Sequence, residues 1–274
     1  MQLEVDAVRK SYGDAPVLNG VTLSLAAGDQ ALLLGQSGSG KSTLLNIICG
    51  LQRPDDGNVA IDDQIISSPS STSASDNVRR TSLGIVFQTL RLVSALSLRA
   101  NLELAQKLQT GRVDSQLIDE CLEKLAIKHR AAARPFQLSQ GEAQRAAIAR
   151  AVAVSPKLLI ADEPTTALDV TTQAQVLDLI KNLQVDHGLS VVLISHDLGV
   201  IRRICDRVAV IYAGRVVEVG KTADVLSNPA HPYTQALLAS IPRAAHAGDE
   251  LMSISGSVPD GRSLIEGCSY APRC

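Results

Sequence analysis

The segment Gly-Gln-Ser-Gly-Ser-Gly-Lys-Ser at positions 35–42 constrains the fold of this chain more than any other feature. It matches the phosphate-loop pattern, and it lies between an apolar run at 31–34 and a helix-forming stretch at 41–51, the context that gives the pattern its meaning. Glycine lets the backbone wrap around phosphate groups, and the helix that follows points its N-terminal N–H groups at negative charge. The alternative, an ordinary glycine turn, does not account for the flanking strand and helix.

This loop offers a full set of ligands for a nucleotide. Lys41 is expected to reach the β- and γ-phosphates, and the Ser42 hydroxyl to bind Mg²⁺. The candidate phosphate-binding residues are Gly35, Gln36, Ser37, Gly38, Ser39, Gly40, Lys41, Ser42 and Thr43. A nucleoside triphosphate and Mg²⁺ are therefore the expected ligands.

An acidic pair follows another apolar run. Residues 158–161 predict a buried strand that ends in Asp162 and Glu163. Because ligands bind at the carboxyl ends of such strands, Asp162 is expected in the Mg²⁺ shell, and Glu163 is expected to polarise the water that attacks the γ-phosphate. Alone, such a pair would more often begin a helix or lie in a solvated turn.

The remaining apolar pattern predicts an α/β fold with a helical insertion. Short apolar runs predict strands near residues 31–34, 58–61, 83–87, 157–162, 190–195 and, around a turn at Ala213–Arg215, within 204–220. Helical patterns lie near 97–108, 114–127 and 140–154. The serine-rich stretch 67–75 has little to bury and is predicted to be a flexible surface loop.

Composition argues against several classes of protein. The chain is 45% hydrophobic, yet its apolar runs are far shorter than the roughly 20 residues of a membrane-spanning helix. A formal net charge of −2, with Lys and Arg spread along the chain, argues against a broad nucleic-acid-binding surface. Residues 1–6 lack the pattern of a secretory signal, so a cytosolic location is expected. Cys49, Cys121 and Cys205 are predicted to be small buried hydrophobic residues.

A further segment connects these motifs to one family. The segment Leu-Ser-Gln-Gly-Glu at 138–142, ahead of a helix with Arg145 and Arg150, resembles the signature segment of ABC ATPases. The resemblance runs from about residue 2 to about residue 242. It implies a P-loop NTPase fold of the ABC nucleotide-binding type, with a RecA-like core, an antiparallel β subdomain and a helical subdomain.

The resemblance also implies a domain division. The ABC ATPase domain is expected at 1–225, with the helical subdomain at about 89–153 inserted in it. A C-terminal extension is expected at 226–274.

Three more residues receive roles from the resemblance. Tyr12 is expected to stack on adenine, and Gln88 to touch Mg²⁺ and sense the γ-phosphate. His196 is expected to hydrogen-bond the γ-phosphate or the attacking water. Considered alone, Tyr12 could instead pack on a strand and Gln88 could be a solvated amide. His196 could be a histidine near the core with its hydrogen bonds satisfied.

In this family the signature segment serves the ATP of a second subunit. Ser139, Gln140 and Gly141 are expected to bind the partner's nucleotide at a helix N-terminus, and Asp169 to reach across the interface. The implied assembly is a head-to-tail homodimer or heterodimer that closes on two nucleotides. Gln140 and Glu142 depart from the commoner Gly and Gln, a departure expected to be tolerated.

The helical insertion is expected to receive separate membrane subunits. Apolar residues near Gln88 are candidates for a docking surface, with simple core packing as an equal alternative. They are Leu90, Leu92, Val93 and Leu96.

The sequence resembles two branches of the family. Residues 84–92 and 138–145 resemble lipoprotein-release and macrolide-export ATPases, whereas 162–171 and 228–238 resemble dipeptide, oligopeptide and nickel importers. The last stretch is the most distinctive, so import of a peptide or nickel is implied, with lipoprotein release or export as the alternative. The implied partners are transmembrane permease subunits and, indirectly, an extracytoplasmic solute-binding protein. The implied location is the cytoplasmic face of the inner membrane.

Two cysteines lie at the end of the sequence. Cys268 and Cys274 resemble the first half of a four-cysteine segment in those importers that is similar to an iron–sulfur ligand set. Two cysteines cannot complete such a site, so free thiols are expected. A chain that ends inside this segment is expected to be truncated or the product of a hybrid gene.

Two other function classes are compatible with a phosphate loop. A non-transport ABC ATPase that acts on ribosomes or DNA generally has two fused cassettes or a long coiled-coil insertion, and the sequence shows neither; no nucleic-acid partner is expected. A nucleotide-binding regulator would not need Glu163 and His196. ATP turnover distinguishes the regulator, and salt-sensitive nucleic-acid binding would favour the non-transport class.

Overall fold

The computed structural model describes residues 2–71, 73–195, 204–240, 254–259 and 267–274. By their internal contacts these residues form two compact units. The first contains residues 26–30 and the described part of 72–194, and the second contains residues 2–25, 31–71 and the described part of 195–274. Over the described ranges, no helix is both long enough and apolar enough to cross a membrane.

Groups of strands and groups of helices follow one another along the chain. The strands are β1 (Leu3–Tyr12), β2 (Ala15–Leu25), β3 (Gln30–Leu34), β4 (Asp56–Ile61), β5 (Gln64–Ser67), β6 (Leu83–Val86), β7 (Leu158–Asp162), β8 (Ser190–Ile194), β9 (Arg207–Tyr212) and β10 (Arg215–Lys221). The helices are α1 (Lys41–Ile48), α2 (Ser73–Ser82), α3 (Leu98–Thr110), α4 (Ser115–Lys124), α5 (Gln140–Val152), α6 (Val170–His187), α7 (Thr222–Ser227) and α8 (Pro232–Ala239). Short 3₁₀ turns lie at Lys128–Arg130, Pro135–Gln137 and Ala271–Arg273. The presence of both strands and helices throughout the described residues confirms the predicted α/β class.

The first unit has a parallel sheet in which β7 lies between β6 and β8. Residues 158–161 of β7 are buried, as expected for a strand that is covered on both faces. In this register Val86 lies beside Ala161, and Asp162 lies beside Ile194. The carboxyl ends of the three strands therefore meet at one edge of the sheet.

The helices α3, α4 and α5 of the first unit confirm the three predicted helical stretches. Side chains just before α3 and α4 define where these helices begin: Ser97 Oγ accepts from the Ala100 N–H at 3.2 Å, and Asp114 Oδ1 accepts from the Leu117 N–H at 3.0 Å. Such caps satisfy N–H groups that have no partner within the helix.

The second unit contains an antiparallel sheet with the strand order β2-β1-β4-β5. On β1, Leu3 and Val5 are buried while Glu4 is exposed, the alternation of a sheet with one face on the core. The turn between β1 and β2 begins at Gly13, whose φ of 58° suits glycine.

The second unit also contains β3, which runs parallel to β9, and β10, which pairs with β9 in antiparallel fashion. The predicted turn between β9 and β10 is confirmed, with φ of 45° at Ala213 and 71° at Gly214. A Cβ on Gly214 would lie 2.1 Å from the Val17 carbonyl oxygen, so this turn requires glycine.

The prediction of a flexible surface loop at 67–75 was wrong in part. Ser67 ends β5, is buried, and donates its hydroxyl hydrogen bond to the Gln52 carbonyl at 3.1 Å. The Ser68 N–H donates to Ser71 Oγ at 2.5 Å, and α2 begins at Ser73. Serine hydroxyls here bind the backbone and one another, an organising interaction that hydropathy does not reveal.

Candidate functional site

The phosphate loop connects β3 to α1 in the second unit. A Cβ on Gly35 would lie 2.3 Å from the carbonyl oxygen of Ile211 in β9, so the loop begins in close contact with that strand. Gly40, with φ of 101°, precedes α1 without a capping side chain, and the first turn contains no acidic residue. The positive end of this helix is therefore not neutralised locally, which favours an anion.

The lysine of the loop is held by the loop itself. Lys41 is 9% exposed, and its Nζ donates to the Gly35 carbonyl at 2.6 Å and to the Gln36 carbonyl at 2.8 Å. Ser42 is exposed, whereas Ser39 Oγ is buried and has no hydrogen-bond partner among the described residues. The lysine charge is thus positioned within the loop.

Tyr12 lies at the end of β1 and is 52% exposed. Its hydroxyl contacts the side-chain amide of Gln52, with 2.7 Å to Nε2 and 3.0 Å to Oε1. An exposed aromatic ring held at its polar end is available for stacking on a base.

The acidic pair lies where β7 ends in the first unit. Glu163 adopts a left-handed conformation with φ of 50°, and its N–H donates to the Ile194 carbonyl of β8 at 2.9 Å. Its Oε2 accepts from Thr166 Oγ1 at 2.9 Å. Left-handed backbone is uncommon outside glycine and concentrates at functional sites. The backbone of Glu163 is thus fixed directly after β7, and its carboxylate is held by Thr166.

Gln88 is exposed on the turn that follows β6. The Leu90 N–H donates to the Phe87 carbonyl at 2.9 Å, and Leu90 and Arg91 have φ of 51° and 48°. The Arg91 guanidinium carbon lies 4.1 Å from the centre of the Phe87 ring, a cation–π contact. Since β6 pairs with β7, Gln88 follows β6 at the same edge of the sheet where Asp162 ends β7.

The signature segment begins α5. Ser139 Oγ accepts from the Glu142 N–H at 3.3 Å, while Glu142 Oε2 accepts from the Ser139 N–H at 2.7 Å. Gln140 is exposed beside them. A Cβ on Gly141 would lie 2.9 Å from Thr172 Cγ2, so α5 approaches α6 closely at this point.

Asp169 caps α6. Its Oδ1 accepts from the Thr172 N–H at 2.9 Å, and its Oδ2 from Thr172 Oγ1 at 2.6 Å. These bonds lower the pKa of Asp169, the Thr172 hydroxyl contributing most. Thr172 therefore hydrogen-bonds Asp169 and also lies close to Gly141 of the signature segment. Within the first unit, this threonine links the signature segment to Asp169.

The four apolar docking candidates differ in exposure. Val93 is 42% exposed, while Leu90, Leu92 and Leu96 are half-buried. Buried Asn101 accepts from the Val93 N–H at 2.7 Å and donates to the Val93 carbonyl at 3.2 Å, which fixes this segment. Their docking role stays a prediction, and His196 lies outside the described residues.

The cysteines divide as predicted. Cys49, Cys121 and Cys205 are buried, and burial raises the pKa of Cys121 to about 11. Cys268 and Cys274 are exposed and form no disulfide within the described residues.

Sequence reasoning missed several residues that support the site. Gln52 and Tyr233 were missed because their partners are distant in sequence. Glu142 could have been found from the Ser-x-x-Glu capping pattern, and Thr166 and Thr172 from their position three residues after an acidic side chain.

Two family models match the chain. The model of the ABC transporter covers residues 18–166, and that of the oligopeptide/dipeptide transporter C-terminal region covers residues 217–274. A Brucella ovis protein named as an ATP-binding protein of peptide import is 39% identical over 280 residues, covering 94% of this chain and 83% of that protein. The chain belongs to the ABC transporter family.

This membership confirms the predicted ABC ATPase, which binds ATP and hydrolyses it for transport. An oligopeptide transport ATP-binding protein of Bacillus subtilis is 36% identical over 277 residues, covering 97% of this chain and 83% of that protein. Both relatives extend over both halves of the chain, including the half that resembles export ATPases.

Solved structures of ABC cassettes have the same fold. A dimeric bacterial ABC transporter cassette matches with a TM-score of 0.74 at 34% identity, over 80% of this chain and 98% of that one. The same cassette in a post-hydrolysis state bound to ADP and Pi matches with a TM-score of 0.73 at 34% identity, again over 80% and 98%. A part of the cbiONQ ABC transporter complex of Clostridium perfringens matches with a TM-score of 0.74 at 28% identity, over 82% and 90%. These matches confirm the predicted fold class.

Proposed function

We propose that this chain is the ATP-hydrolysing subunit of an ABC importer of peptides or nickel, and that it works with separate membrane permease subunits. The observation that carries the proposal is the presence, on one chain, of an ABC domain at 18–166 and a C-terminal region of the oligopeptide/dipeptide type at 217–274. The alternative of lipoprotein release rests only on residues 84–92 and 138–145.

In the proposed chemistry, Lys41 binds the γ-phosphate and Glu163 polarises the water that attacks it. The Lys41 ammonium already lies within the phosphate loop, 2.6 Å from the Gly35 carbonyl. Glu163 acts as the general base, oriented by its hydrogen bond from Thr166. His196 is proposed to bind the same water or the γ-phosphate.

The residues proposed for Mg²⁺ fit this ion chemically. Ser42, Gln88 and Asp162 offer hydroxyl, amide and carboxylate oxygens, the ligand atoms that Mg²⁺ prefers. Ser42 is exposed in the first turn of α1, where no acidic residue competes for the ion. When bound, the ion would neutralise phosphate charge that develops during hydrolysis.

The proposed active assembly is a head-to-tail dimer with two ATP molecules. Each phosphate loop would face the partner's signature residues Ser139, Gln140 and Gly141, with Asp169 at the interface. Support comes from the N-terminus of α5, where Ser139 and Gln140 are exposed and available to a partner subunit. The dimeric cassette of similar fold gives independent support.

The proposed organisation and location follow the same reasoning. An ATPase domain at 1–225, with its helical subdomain at about 89–153, precedes the extension at 226–274. The chain is proposed to lie at the cytoplasmic face of the inner membrane, bound to its permease through residues near Val93. A solute-binding protein outside the cell would deliver the substrate to the permease.

Reconstitution into proteoliposomes tests this function. The chain is combined with its permease subunits and solute-binding protein, and phosphate release is followed as peptide or nickel is added. Stimulation of ATP hydrolysis by one of these substrates, and its loss in Lys41→Ala, are expected. A complex that hydrolyses ATP but responds to neither substrate would contradict import of peptides and nickel.

A further inference from the structure

A hydrogen bond connects the C-terminal extension to the phosphate loop within the second unit. The hydroxyl of Tyr233, in the first turn of α8, accepts from the Gln36 backbone N–H at 3.1 Å. Tyr233 is fully buried and Gln36 is half-buried, so this contact is partly shielded from water. An N–H that is partly shielded from water costs free energy when it loses its acceptor, so the position of Gln36 depends on this hydroxyl.

The backbone of Gln36 makes several hydrogen bonds within the phosphate loop. Its carbonyl accepts from Lys41 Nζ at 2.8 Å and from the Ser39 N–H at 3.2 Å. The preceding residue, Gly35, lies against the Ile211 carbonyl. The peptide group between Gly35 and Gln36 donates its N–H to Tyr233 and accepts at its carbonyl from Lys41 Nζ at 2.6 Å. It therefore also orients the ammonium group that is proposed to bind phosphate.

Tyr233 is itself held in place at the start of α8. His231 Nδ1 accepts from the Tyr233 N–H at 3.1 Å, and Pro232 occupies the first position of the helix. The Glu218 carboxylate of β10 accepts from the N–H groups of Ala230 at 2.8 Å and His231 at 3.0 Å. The extension thus presents the tyrosine from a fixed helix end.

The ring of Tyr233 belongs to a buried aromatic cluster. Ring centres lie 4.4 Å apart for Tyr212 and Tyr233, 5.3 Å apart for Tyr212 and Tyr270, and 5.5 Å apart for Tyr233 and Tyr270. Burial raises the pKa of Tyr233, so the hydroxyl stays neutral at physiological pH. Because Tyr270 lies in the 267–274 segment, that segment packs on the same cluster.

We propose that Tyr233 is a positioning residue for ATP: its hydroxyl holds the phosphate loop in the conformation that binds the nucleotide. This inference rests on the proposed binding of ATP at that loop. A loop that is only partly in its competent conformation binds with an affinity lowered by the competent fraction. Loss of this hydrogen bond should weaken ATP binding by about tenfold.

The test removes single hydroxyl groups from the full chain. Tyr233→Phe keeps the ring and loses the bond to Gln36. Tyr212→Phe is the matched control, because its hydroxyl belongs to the same cluster but lies 3.3 Å from Arg273 Nη1. Calorimetry gives the Kd for ATP, steady-state kinetics give KM and kcat, and thermal melting reports folding.

The two variants are expected to differ in their affinity for ATP. Tyr233→Phe should raise Kd and KM by about tenfold and leave kcat and the melting temperature nearly unchanged. Tyr212→Phe should leave Kd unchanged. Wild-type affinity in Tyr233→Phe would overturn the inference, as would equal weakening in both variants, and either result would leave the proposed function intact. A wild-type chain that binds no ATP would overturn the proposed function, and the positioning role with it.

Discussion

Ser139 and Glu142 bind each other's backbone at the start of α5. Glu142 Oε2 accepts from the Ser139 N–H at 2.7 Å, and Ser139 Oγ accepts from the Glu142 N–H at 3.3 Å. This reciprocal arrangement satisfies two N–H groups at the helix N-terminus. Arg130 Nε lies 3.2 Å from Glu142 Oε1, which adds a charge partner for the carboxylate. The departure from the commoner glutamine at position 142 therefore has a local structural reason.

Replacing Glu142 should separate its capping role from its charge. Glu142→Ala is expected to lower the free energy of unfolding by about 1 kcal/mol because a helix cap is lost. Glu142→Gln should retain most of that amount, since its amide oxygen can accept the same hydrogen bond from Ser139. Denaturant unfolding at pH 7 measures both. An alanine variant as stable as the wild type would show that the capping pair contributes nothing.

The Glu142 carboxylate should make the stability of the folded protein depend on pH. The hydrogen bond from the Ser139 N–H lowers the pKa of Glu142, and the Arg130 charge acts in the same direction. Because the folded pKa is below the unfolded pKa, the stabilisation is complete above the unfolded value and is lost as pH falls through the folded value. The stability difference between wild type and Glu142→Gln should therefore shrink as the pH falls from 7 through the pKa of Glu142 in the folded state. A difference that does not change with pH would contradict this origin.

Gly141 and Thr172 should show an energetic coupling. Alanine favours a helix over glycine by about 1 kcal/mol, but a Cβ at position 141 meets Thr172 Cγ2 at 2.9 Å. Gly141→Ala alone is thus expected not to stabilise the protein. In a Thr172→Ser background, which removes the methyl group and keeps the hydroxyl bound to Asp169, the same change should stabilise it. A double-mutant cycle of unfolding free energies measures the coupling, and simple additivity would refute the close contact.

Tyr12 should contribute to ATP binding through its aromatic ring, while Gln52 contacts the Tyr12 hydroxyl. Tyr12→Ala is expected to weaken ATP binding by about tenfold, in the range of base stacking on an aromatic side chain. Tyr12→Phe keeps the ring and should lose far less, as should Gln52→Leu, which removes only the contact to the hydroxyl. Titration with a fluorescent ATP analogue measures all three. Equal losses in Tyr12→Ala and Tyr12→Phe would assign the effect to the hydroxyl instead.

The parts of the molecule that could be predicted from sequence are those coded locally. The apolar run before Asp162 correctly predicted a buried strand, and the glycine pattern before Lys41 correctly predicted a loop between a strand and a helix. Both features depend only on residues that are neighbours in the sequence. The cap at Ser139 lies within one such stretch, yet its partner Glu142 was treated only as a departure from the family pattern.

The contacts that could not be predicted join distant positions. Gln36 and Tyr233 are 197 residues apart, and no periodicity links them. The approach of Gly141 to Thr172 depends on how α5 packs against α6, and α6 itself was not predicted. Hydropathy likewise failed for Ser67, whose burial depends on a hydrogen bond to the Gln52 carbonyl.

The most direct test of the ATP-driven dimer is hydrolysis of Mg²⁺-ATP as a function of protein concentration, with light scattering on the Glu163→Gln variant. The predicted result is an activity per molecule that rises with concentration, and a variant that forms an ATP-bound dimer without turnover because it lacks the general base. Hydrolysis by Glu163→Gln at the wild-type rate, or full wild-type activity from a chain that stays monomeric at every concentration, would contradict it.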